Sequence, residues 1–389
     1  SENDGDEEEE SSTIPTEDGG SEWPQTQGPD LKVSPYIVNF GSVEVGKLSV
    51  ISIQVQSTGS EPLVIDEIEL AQGPQGAFAL DFSEIAGFEA GDSPGPNNPL
   101  IIDSDEAVEI QVRFTPSLEN LVEQALITLN SNAVDGPETV EMEGVGVSSD
   151  CPVAVIKIQE GSQVIPQTVL NLFGDQSYSA GKFIVDWEWT VQQPQGSQSL
   201  FLPASNFPNP TFEANIAGLY TFQLQVWDSS GTPSCFPGEA NLVVIPDEAI
   251  HVELLWNTPN DPDQTDEGPE AGADLDLHFL HPYAAGPDLD EDGAPDGWFD
   301  SPFDCFWFNP EPQWASFDPA LNDDPSLDRD DTDGAGPENL NLNIPENDKM
   351  YKVGVHYWAD HDYGPSYATV RVYIYSELVF EMEDMKLVN

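Results

Sequence analysis

The stretch from Asn260 to Asp348 combines an extreme excess of acid with regular apolar runs. It holds 25 carboxylates and one base, Arg329. Aromatic and aliphatic runs separate the acids, a pattern that disordered acidic tails lack. A compact domain made from this stretch must offset strong self-repulsion between carboxylates, and bound cations do so directly. Carboxylate oxygens at alternating positions favour Ca²⁺ over zinc or copper, because Ca²⁺ prefers hard oxygen ligands.

The acidic excess extends through the whole chain and restricts its partners. With 72 acidic residues against 10 Lys and Arg, the formal net charge is −62. Nucleic acid is excluded as a partner, because phosphate binding needs basic patches. An anionic membrane surface would also repel the chain. Solubility or adaptation to salty water is the other interpretation of the charge. No apolar run reaches the roughly 18–20 residues of a membrane span, so no transmembrane segment is expected.

The N-terminal 30 residues are acidic, rich in Ser, Gly and Pro, and without a base. They show no periodicity, so a disordered tether is expected there. Ser at residue 1 is expected for a processed or trimmed chain. A lipid-modified Cys directly before Ser1 would make the protein a surface-anchored lipoprotein, which is a hypothesis. Secretion also fits three cysteines, since an oxidising compartment would pair two of them.

After this tail the pattern is that of strands. Short alternating runs are bounded by Gly, Pro, Asn and Asp, and the chain holds 31 Gly and 34 Pro. We therefore predict an all-β protein of three tandem β-sandwiches, immunoglobulin-like or jelly-roll-like. The predicted segments are a tail at 1–30 and sandwiches at 31–148, 149–246 and 247–389.

The first predicted sandwich carries motifs of a known family. They are Ile37–Gly46, Ser57–Gly59, Pro62–Ile65, Val112–Pro116, Leu129–Ala133 and Glu143–Gly146. As a set they resemble the Hydin-type immunoglobulin-like domain of bacterial choice-of-anchor D proteins. The resemblance implies a binding or spacer module without catalytic chemistry.

The second predicted sandwich contains Asp186–Trp189 and, further on, Gly218–Asp228. These residues resemble the polycystic-kidney-disease type of immunoglobulin-like domain. Trp189 is expected in the core and Tyr220 at the corner where a strand begins. Cys151 opens this segment and Cys235 follows the strand that ends at Asp228, so we predict a disulfide between them.

Cys305, the third cysteine, is left over. A buried free thiol and an intermolecular bridge are both possible roles for it.

The third predicted sandwich contains a strictly alternating strand, Ala273–Phe279. Asp274, Asp276 and His278 must face one way and the apolar residues the other. With the loop Leu327–Asn339 and the strand Tyr351–Tyr357, it resembles a family of bacterial extracellular β-sandwich domains without an assigned function. The resemblance implies a fold and no reaction.

The insertion Gly286–Ala320 departs from that family pattern and contains a candidate calcium loop. Four acids occupy ligand positions 1, 3, 5 and 9 of the loop: Asp288, Asp290, Asp292 and Asp296. Gly293 at position 6 would make the sharp turn, as in EF-hands and thrombospondin type 3 repeats. Phe299 replaces the bidentate Glu of an EF-hand, so a regulatory EF-hand is excluded. A solvated acidic loop is the alternative.

A second calcium site is expected where the alternating strand meets the later acidic loop. Its candidate ligands are Asp274, Asp276, Asp328, Asp330, Asp331 and Glu338. This site depends on the fold bringing the two segments together.

All five histidines follow residue 246. Their spacing is not the helical spacing of a zinc hydrolase, and we interpret them as neutral strand residues satisfied by neighbours, with a zinc site as the alternative. No nucleophile elbow or phosphate loop is present, so we expect no enzyme. A metal-dependent hydrolase would need a deep pocket holding His278 or His356 beside carboxylates.

The insertion is also crowded with aromatic residues. Trp298, Trp307 and Trp314 are candidates for a stacking surface that binds a sugar or an apolar partner. Filling of a core beneath the long loop is the alternative.

Together these features predict a non-catalytic secreted or cell-surface protein with a structural or adhesive role, self-association included. Its expected cofactor is Ca²⁺, bound by the C-terminal segment, and its expected partner is a protein or glycan at the cell surface. The alternative function is a carbohydrate- or envelope-binding module that uses the aromatic insertion.

Overall fold

The computed structural model describes residues 28–388 apart from positions 105, 135, 149, 266–270, 290, 315, 317, 319 and 333. Residues 1–27 of the predicted tail and Asp290 of the predicted calcium loop lie outside the described residues. The described residues form 24 β-strands and no helix, which confirms the all-β class. None of them forms a helix that could cross a membrane.

Residues 31–147 contribute the first nine strands. They are β1 (Leu31–Ser34), β2 (Ile37–Glu44), β3 (Ser49–Ser57), β4 (Leu63–Gln72), β5 (Phe78–Asp81), β6 (Leu100–Ile102), β7 (Ala107–Phe114), β8 (Val122–Ser131) and β9 (Glu138–Val147). One sheet has the order β1-β3-β7-β5 and the other β2-β9-β8-β4-β6. Alternate residues of both sheets enter a shared core, where Phe114 contacts Phe40 and Phe78 at ring distances of 5.3 and 4.7 Å.

Residues 157–244 contribute the next seven strands. They are β10 (Lys157–Ile158), β11 (Gln163–Val164), β12 (Thr168–Phe173), β13 (Ile184–Gln192), β14 (Thr211–Ala214), β15 (Gly218–Asp228) and β16 (Gly238–Val244). Their sheets have the orders β10-β12-β14 and β11-β16-β15-β13. Trp189 is buried as predicted. The Tyr220 hydroxyl lies 3.2 Å from both the N–H and the carbonyl oxygen of Ile216, at the entry to β15.

The predicted disulfide is present between Cys151 and Cys235, 84 residues apart in sequence. Cys305 is a buried free thiol, and burial raises its pKa. Its complete exclusion from solvent does not suit an intermolecular bridge.

Residues 250–387 contribute the last eight strands. They are β17 (Ile250–Asn257), β18 (Asp274–Leu280), β19 (Asp304–Cys305), β20 (Ser326–Arg329), β21 (Glu338–Leu342), β22 (Lys352–Ala359), β23 (Ser366–Ile374) and β24 (Glu377–Leu387). One sheet has the order β20-β21-β17-β23-β24 and the other β19-β18-β22. Apolar side chains of both sheets form a third core, separate from the first two.

Polar contacts join successive sandwiches. Between the first and second, the Asn39 amide donates to Glu239 at 2.7 Å. Between the second and third, the Ala217 N–H donates to the fully buried carboxylate of Glu253 at 2.6 Å. Three more contacts cross this second junction. The side chains of Asn339 and Arg371 donate to the backbone carbonyl oxygens of Asn215 and Gln195, and Arg329 forms an ion pair with Glu213.

Candidate metal centre

Strand β18 presents two chemically different faces. Leu275, Leu277 and Phe279 enter the third core, while Asp276 and His278 lie on the opposite face, as the alternation predicts. All seven residues of β18 are nevertheless buried. The polar face is therefore covered by another part of the chain instead of facing solvent.

The aromatic insertion supplies this cover. Phe306 stacks on the His278 ring at a centroid distance of 4.9 Å, and the Phe299 ring meets it edge-on at 4.8 Å. Trp298 lies over the neighbouring strand β22 at Gly354, where an added Cβ would come within 2.5 Å of the indole. Glycine at this position thus allows the indole to close over the strand pair beside His278.

Pairing of β18 with β22 brings a mixed set of potential metal ligands together. Asp276 is the register partner of His356, and His278 is the partner of Gly354. One ligand atom from each of Asp276, His278 and His356 lies within 4.8 Å of the other two. These three residues are named the histidine triad. His356 Nδ1 lies 3.1 Å from Asp276 Oδ2.

His278 has a carboxylate behind it. Its Nδ1 lies 2.8 Å from Oδ2 of Asp304, and the same oxygen accepts the Phe299 N–H at 2.7 Å. Since a carboxylate accepts hydrogen bonds, this contact favours the tautomer with hydrogen on Nδ1. His278 Nε2 is then an acceptor, and it has no hydrogen-bond partner within the part of the chain that the structure describes.

Asp276 also belongs to an all-carboxylate group. Ligand atoms of Asp276, Asp330 and Glu338 lie within 4.8 Å of one another, and these residues are named the acidic triad. Glu338, fully buried, accepts the Leu277 N–H at 2.6 Å. This bond ties the start of β21 to the edge of β18, so the triad connects the two sheets of the third sandwich.

Burial makes the ionised state of the acidic triad unfavourable. It raises the pKa of Glu338 well above the usual value, and the neighbouring charges of Asp276 and Asp330 raise it further. Burial likewise raises the pKa of Asp330 and of Asp276, although the contact with His356 opposes the shift at Asp276. A cation within the triad would favour the ionised carboxylates and reverse these shifts.

The other predicted ligands of the second calcium site lie around the acidic triad without joining it. Asp274 is buried next to the triad on β18. Asp328 accepts hydrogen bonds from Ser326 and Asn341. The Asp331 N–H donates to Glu338 at 3.3 Å. Of the six predicted ligands, the structure therefore gathers three.

The predicted calcium loop in the insertion is exposed, and its carboxylates accept hydrogen bonds from backbone N–H groups of the same loop. Asp288 accepts the N–H groups of Asp292 and Gly293 at 3.1 and 2.9 Å, and Asp296 accepts the Leu289 N–H at 2.6 Å. Gly293 has the positive φ, +94°, of the predicted sharp turn. Among the described residues, Asp288, Asp292 and Asp296 do not form a group of ligand atoms within 4.8 Å.

The three predicted stacking tryptophans have different environments. Trp298 packs against His278, and Trp314 contacts both Phe279 and Tyr351. Trp307 alone of the three is exposed, with a ring distance of 5.5 Å to both Phe308 and Trp358. Phe308 is 67% and Trp358 52% exposed. Trp307, Phe308 and Trp358 are named the aromatic patch.

Sequence reasoning assigned no site role to Asp304, and it interpreted His278 and His356 as satisfied strand histidines. Neighbours satisfy only one nitrogen of His278: Nδ1 contacts Asp304, whereas Nε2 has no hydrogen-bond partner among the residues that the structure describes. The available signal was the strand periodicity: Asp276 and His278 share one face of β18, and an antiparallel partner places His356 beside them. Asp304 had no such signal, because its strand β19 has only two residues and shows no periodicity.

Comparison with known proteins does not assign the chain to a family. No family model and no curated protein matches the chain. Among solved structures, the PapD-like domain 7 of human CEP192 is 12% identical and covers 35% of this chain and 99% of that domain, with a TM-score of 0.22. Fibronectin(III)-like modules of Clostridium thermocellum CbhA are 13% identical, covering 55% and 93%, with a TM-score of 0.19. The Escherichia coli chaperone DraB is 10% identical, covering 55% and 98%, with a TM-score of 0.21.

Proposed function

We propose that this chain is a non-catalytic structural or adhesive protein of the extracellular space or cell surface, with a third sandwich stabilised by Ca²⁺. The acidic triad carries the proposal. Asp276, Asp330 and Glu338 place their oxygens within 4.8 Å of one another, and Glu338 is fully buried. Such a group destabilises the fold when ionised, unless a cation offsets the repulsion.

A structural role is supported by the junctions between sandwiches. The contact of Glu253 with Ala217 is buried at 2.6 Å, and Arg371 lies 3.9 Å from the same carboxylate. Direct polar contacts of this kind restrict bending between neighbouring sandwiches. A row of sandwiches joined in this way suits a spacer or adhesive stalk that presents its last sandwich to a protein or glycan partner.

The finer family relations belong to this proposal. We assign the first sandwich to the Hydin-type domains of choice-of-anchor D proteins and the second to the polycystic-kidney-disease type. The buried Trp189 and the Tyr220 contact at the start of β15 support the second assignment. The disulfide between Cys151 and Cys235 supports secretion, because such bonds persist in oxidising compartments.

Calcium dependence is tested by thermal unfolding of the full chain in excess Ca²⁺ and in chelator. Free Ca²⁺ at about 100 times its Kd stabilises a folded domain by about 2.7 kcal/mol, which raises the Tm of a domain of this size by roughly 10 °C. Because a charge of −62 also responds to screening, a NaCl sample of equal ionic strength is the control. Equal transitions in Ca²⁺, chelator and NaCl contradict the proposal.

A second candidate function, binding of a carbohydrate or envelope component, is favoured by the aromatic patch. Its three exposed rings, Trp307, Phe308 and Trp358, combine the insertion with strand β22. Exposed aromatic faces can stack on sugar rings. A glycan array probed with wild type, Trp307→Ala and Trp358→Ala tests this candidate. Phe183→Ala, an 82% exposed ring of the second sandwich, is the matched control. Equal array profiles for all four proteins exclude it.

A further inference from the structure

The histidine triad has a donor set that differs from the calcium ligands. Its two imidazoles and one carboxylate, from His278, His356 and Asp276, lie within 4.8 Å of one another. Ca²⁺ takes oxygen ligands, whereas Zn²⁺ takes His nitrogen and Asp oxygen. We infer that these three side chains bind a transition-metal dication of the Zn²⁺ class, in addition to the calcium of the proposed function.

The unpartnered nitrogen of His278 is independent support for this site. The residue is 2% exposed, and its Nε2 has no hydrogen-bond partner among the described residues. A buried nitrogen lone pair without a partner is costly. Because Asp304 occupies Nδ1, Nε2 is the nitrogen available to an ion.

The contact between Asp304 and His278 is typical of metal-binding histidines. Such histidines donate their second ring N–H to a carboxylate or carbonyl, which fixes the tautomer and the ring orientation. Here the distance is 2.8 Å, and Asp304 is itself held by the Phe299 N–H. The rings of Phe299 and Phe306 restrict the imidazole from two sides. The ligand nitrogen is thus positioned before an ion binds.

Access and coordination number fit the same ion. The His356 side chain is 39% exposed, compared with 4% for Asp276, so an ion can reach the triad from the surface at His356. Three protein ligands leave a fourth position of a tetrahedral Zn²⁺ for water or an external donor. The aromatic patch lies next to this opening, with Trp358 at a ring distance of 5.9 Å from His356.

Asp276 is shared by the histidine and acidic triads, and its two oxygens allow it to bridge two ions. The remaining ligands differ, so separate variants distinguish the two sites. His356→Gln removes a nitrogen donor and leaves Asp330 and Glu338 intact. Asp330→Asn removes a carboxylate and leaves both histidines intact.

The test is calorimetric titration of the chelator-stripped full chain with Zn²⁺ in saturating Ca²⁺, which fills the acidic surface sites. We expect one Zn²⁺ per chain that Ca²⁺ does not displace. His356→Gln and His278→Gln should each weaken binding by at least about 10-fold. His361→Gln is the matched control, because His361 contacts the Gly272 carbonyl. Asp330→Asn should still bind one Zn²⁺, because both imidazoles and the Asp276 carboxylate remain.

Co²⁺ adds a spectroscopic readout, because its absorption in the visible range becomes much stronger when the octahedral hydrated ion enters a tetrahedral site. The expected band is present in wild type and His361→Gln and lost in His356→Gln. Circular dichroism identifies any variant that does not fold, and the surface variant His356→Gln then decides the result alone. Absence of Zn²⁺ binding in wild type, or equal affinity in His356→Gln, overturns the inference. If Zn²⁺ binds but Ca²⁺ does not change the stability, only the proposed function is contradicted.

Discussion

Nδ1 of His278 lies 2.8 Å from Oδ2 of Asp304, and both side chains are almost completely excluded from solvent. His278 belongs to the long strand β18, and Asp304 belongs to the two-residue strand β19, which the aromatic insertion pairs with β18. Their contact shows that the insertion is part of the third sandwich, since it covers the polar face of β18 and orients the imidazole of His278.

Replacement of Asp304 by Asn tests this orienting role. Asp304→Asn keeps the shape of the side chain but removes the charge that favours hydrogen on Nδ1. We expect Zn²⁺ affinity to fall by about 10–100-fold. Nitrogen NMR of the His278 ring should show loss of the Nδ1–H preference, which a purely structural defect would not produce. Asp300→Asn, in the same insertion and bonded to the Ala285 N–H, should retain both properties; equal behaviour of the two variants counts against the orienting role.

The raised pKa of Glu338 predicts how stability depends on pH. Burial raises this pKa far above the usual value of 4.5. A carboxyl with a raised folded-state pKa contributes stability that is complete below its unfolded pKa and lost as pH rises through the folded value. In chelator, the third sandwich should therefore be more stable at about pH 5 than at about pH 8. Urea unfolding at both pH values measures the difference.

Glu338→Gln separates this contribution from that of His251. Burial lowers the pKa of His251, but contacts with Glu253 and Asn341 outweigh burial and raise it, so His251 also favours the fold at low pH. The Gln variant should lose part of the pH dependence and, in chelator, be more stable than wild type at about pH 8. If stability depends on pH in Glu338→Gln as it does in wild type, Glu338 is not the group that causes this dependence.

Glu253 predicts coupling between the second and third sandwiches. It is fully buried, accepts the Ala217 N–H, and lies 3.9 Å from Arg371. Glu253→Ala leaves these partners without their acceptor and should destabilise the chain by about 3–5 kcal/mol. Calorimetry should also show the two sandwiches unfolding in separate transitions. Glu381→Ala, which removes an exposed partner of Arg371, should cost about 1 kcal/mol or less. Equal effects would exclude a special role for Glu253.

Removal of the disulfide should reduce the stability of the second sandwich only. Closure of a loop of 84 residues restricts the unfolded chain, and its removal should cost about 4–5 kcal/mol. The double variant Cys151→Ser/Cys235→Ser should lower only the unfolding transition of that sandwich. Cys305→Ser, which changes a buried free thiol in the third sandwich, is the control for location. Lower unfolding transitions in all three sandwiches would contradict a stabilising effect confined to the second.

Local periodicity was sufficient to predict the strands and to predict which residues of β18 lie on each of its two faces. The alternation of Ala273–Phe279 predicts which side chains enter the core, because successive residues of a strand point to opposite faces. The pairing of Cys151 with Cys235 also followed from their positions at the ends of one predicted sandwich. The first inference depends on neighbouring residues in the sequence. The second depends on where a single β-sandwich is expected to begin and end.

Periodicity did not predict what covers the polar face. Asp276 and His356 are 80 residues apart and meet through the register of β18 and β22. His278 and Asp304 meet through an insertion without regular spacing. Asp276, Asp330 and Glu338 were all predicted ligands of the second calcium site, but which of the six candidates come together depends on tertiary packing that a single sequence does not encode locally.

Stabilisation of the third sandwich by Ca²⁺ in the acidic triad is tested most directly by the change in its unfolding free energy when Ca²⁺ is added, measured in wild type and Asp330→Asn. Asp330 belongs to the exposed side of the acidic triad, so the variant should fold. At Ca²⁺ of about 100 times its Kd, we expect a gain of about 2.7 kcal/mol for wild type and a gain at least halved in Asp330→Asn. Glu377→Gln, an exposed acid on β24, should keep the full gain. No gain in wild type, or equal gains in wild type and Asp330→Asn, would show that the acidic triad does not bind a stabilising Ca²⁺.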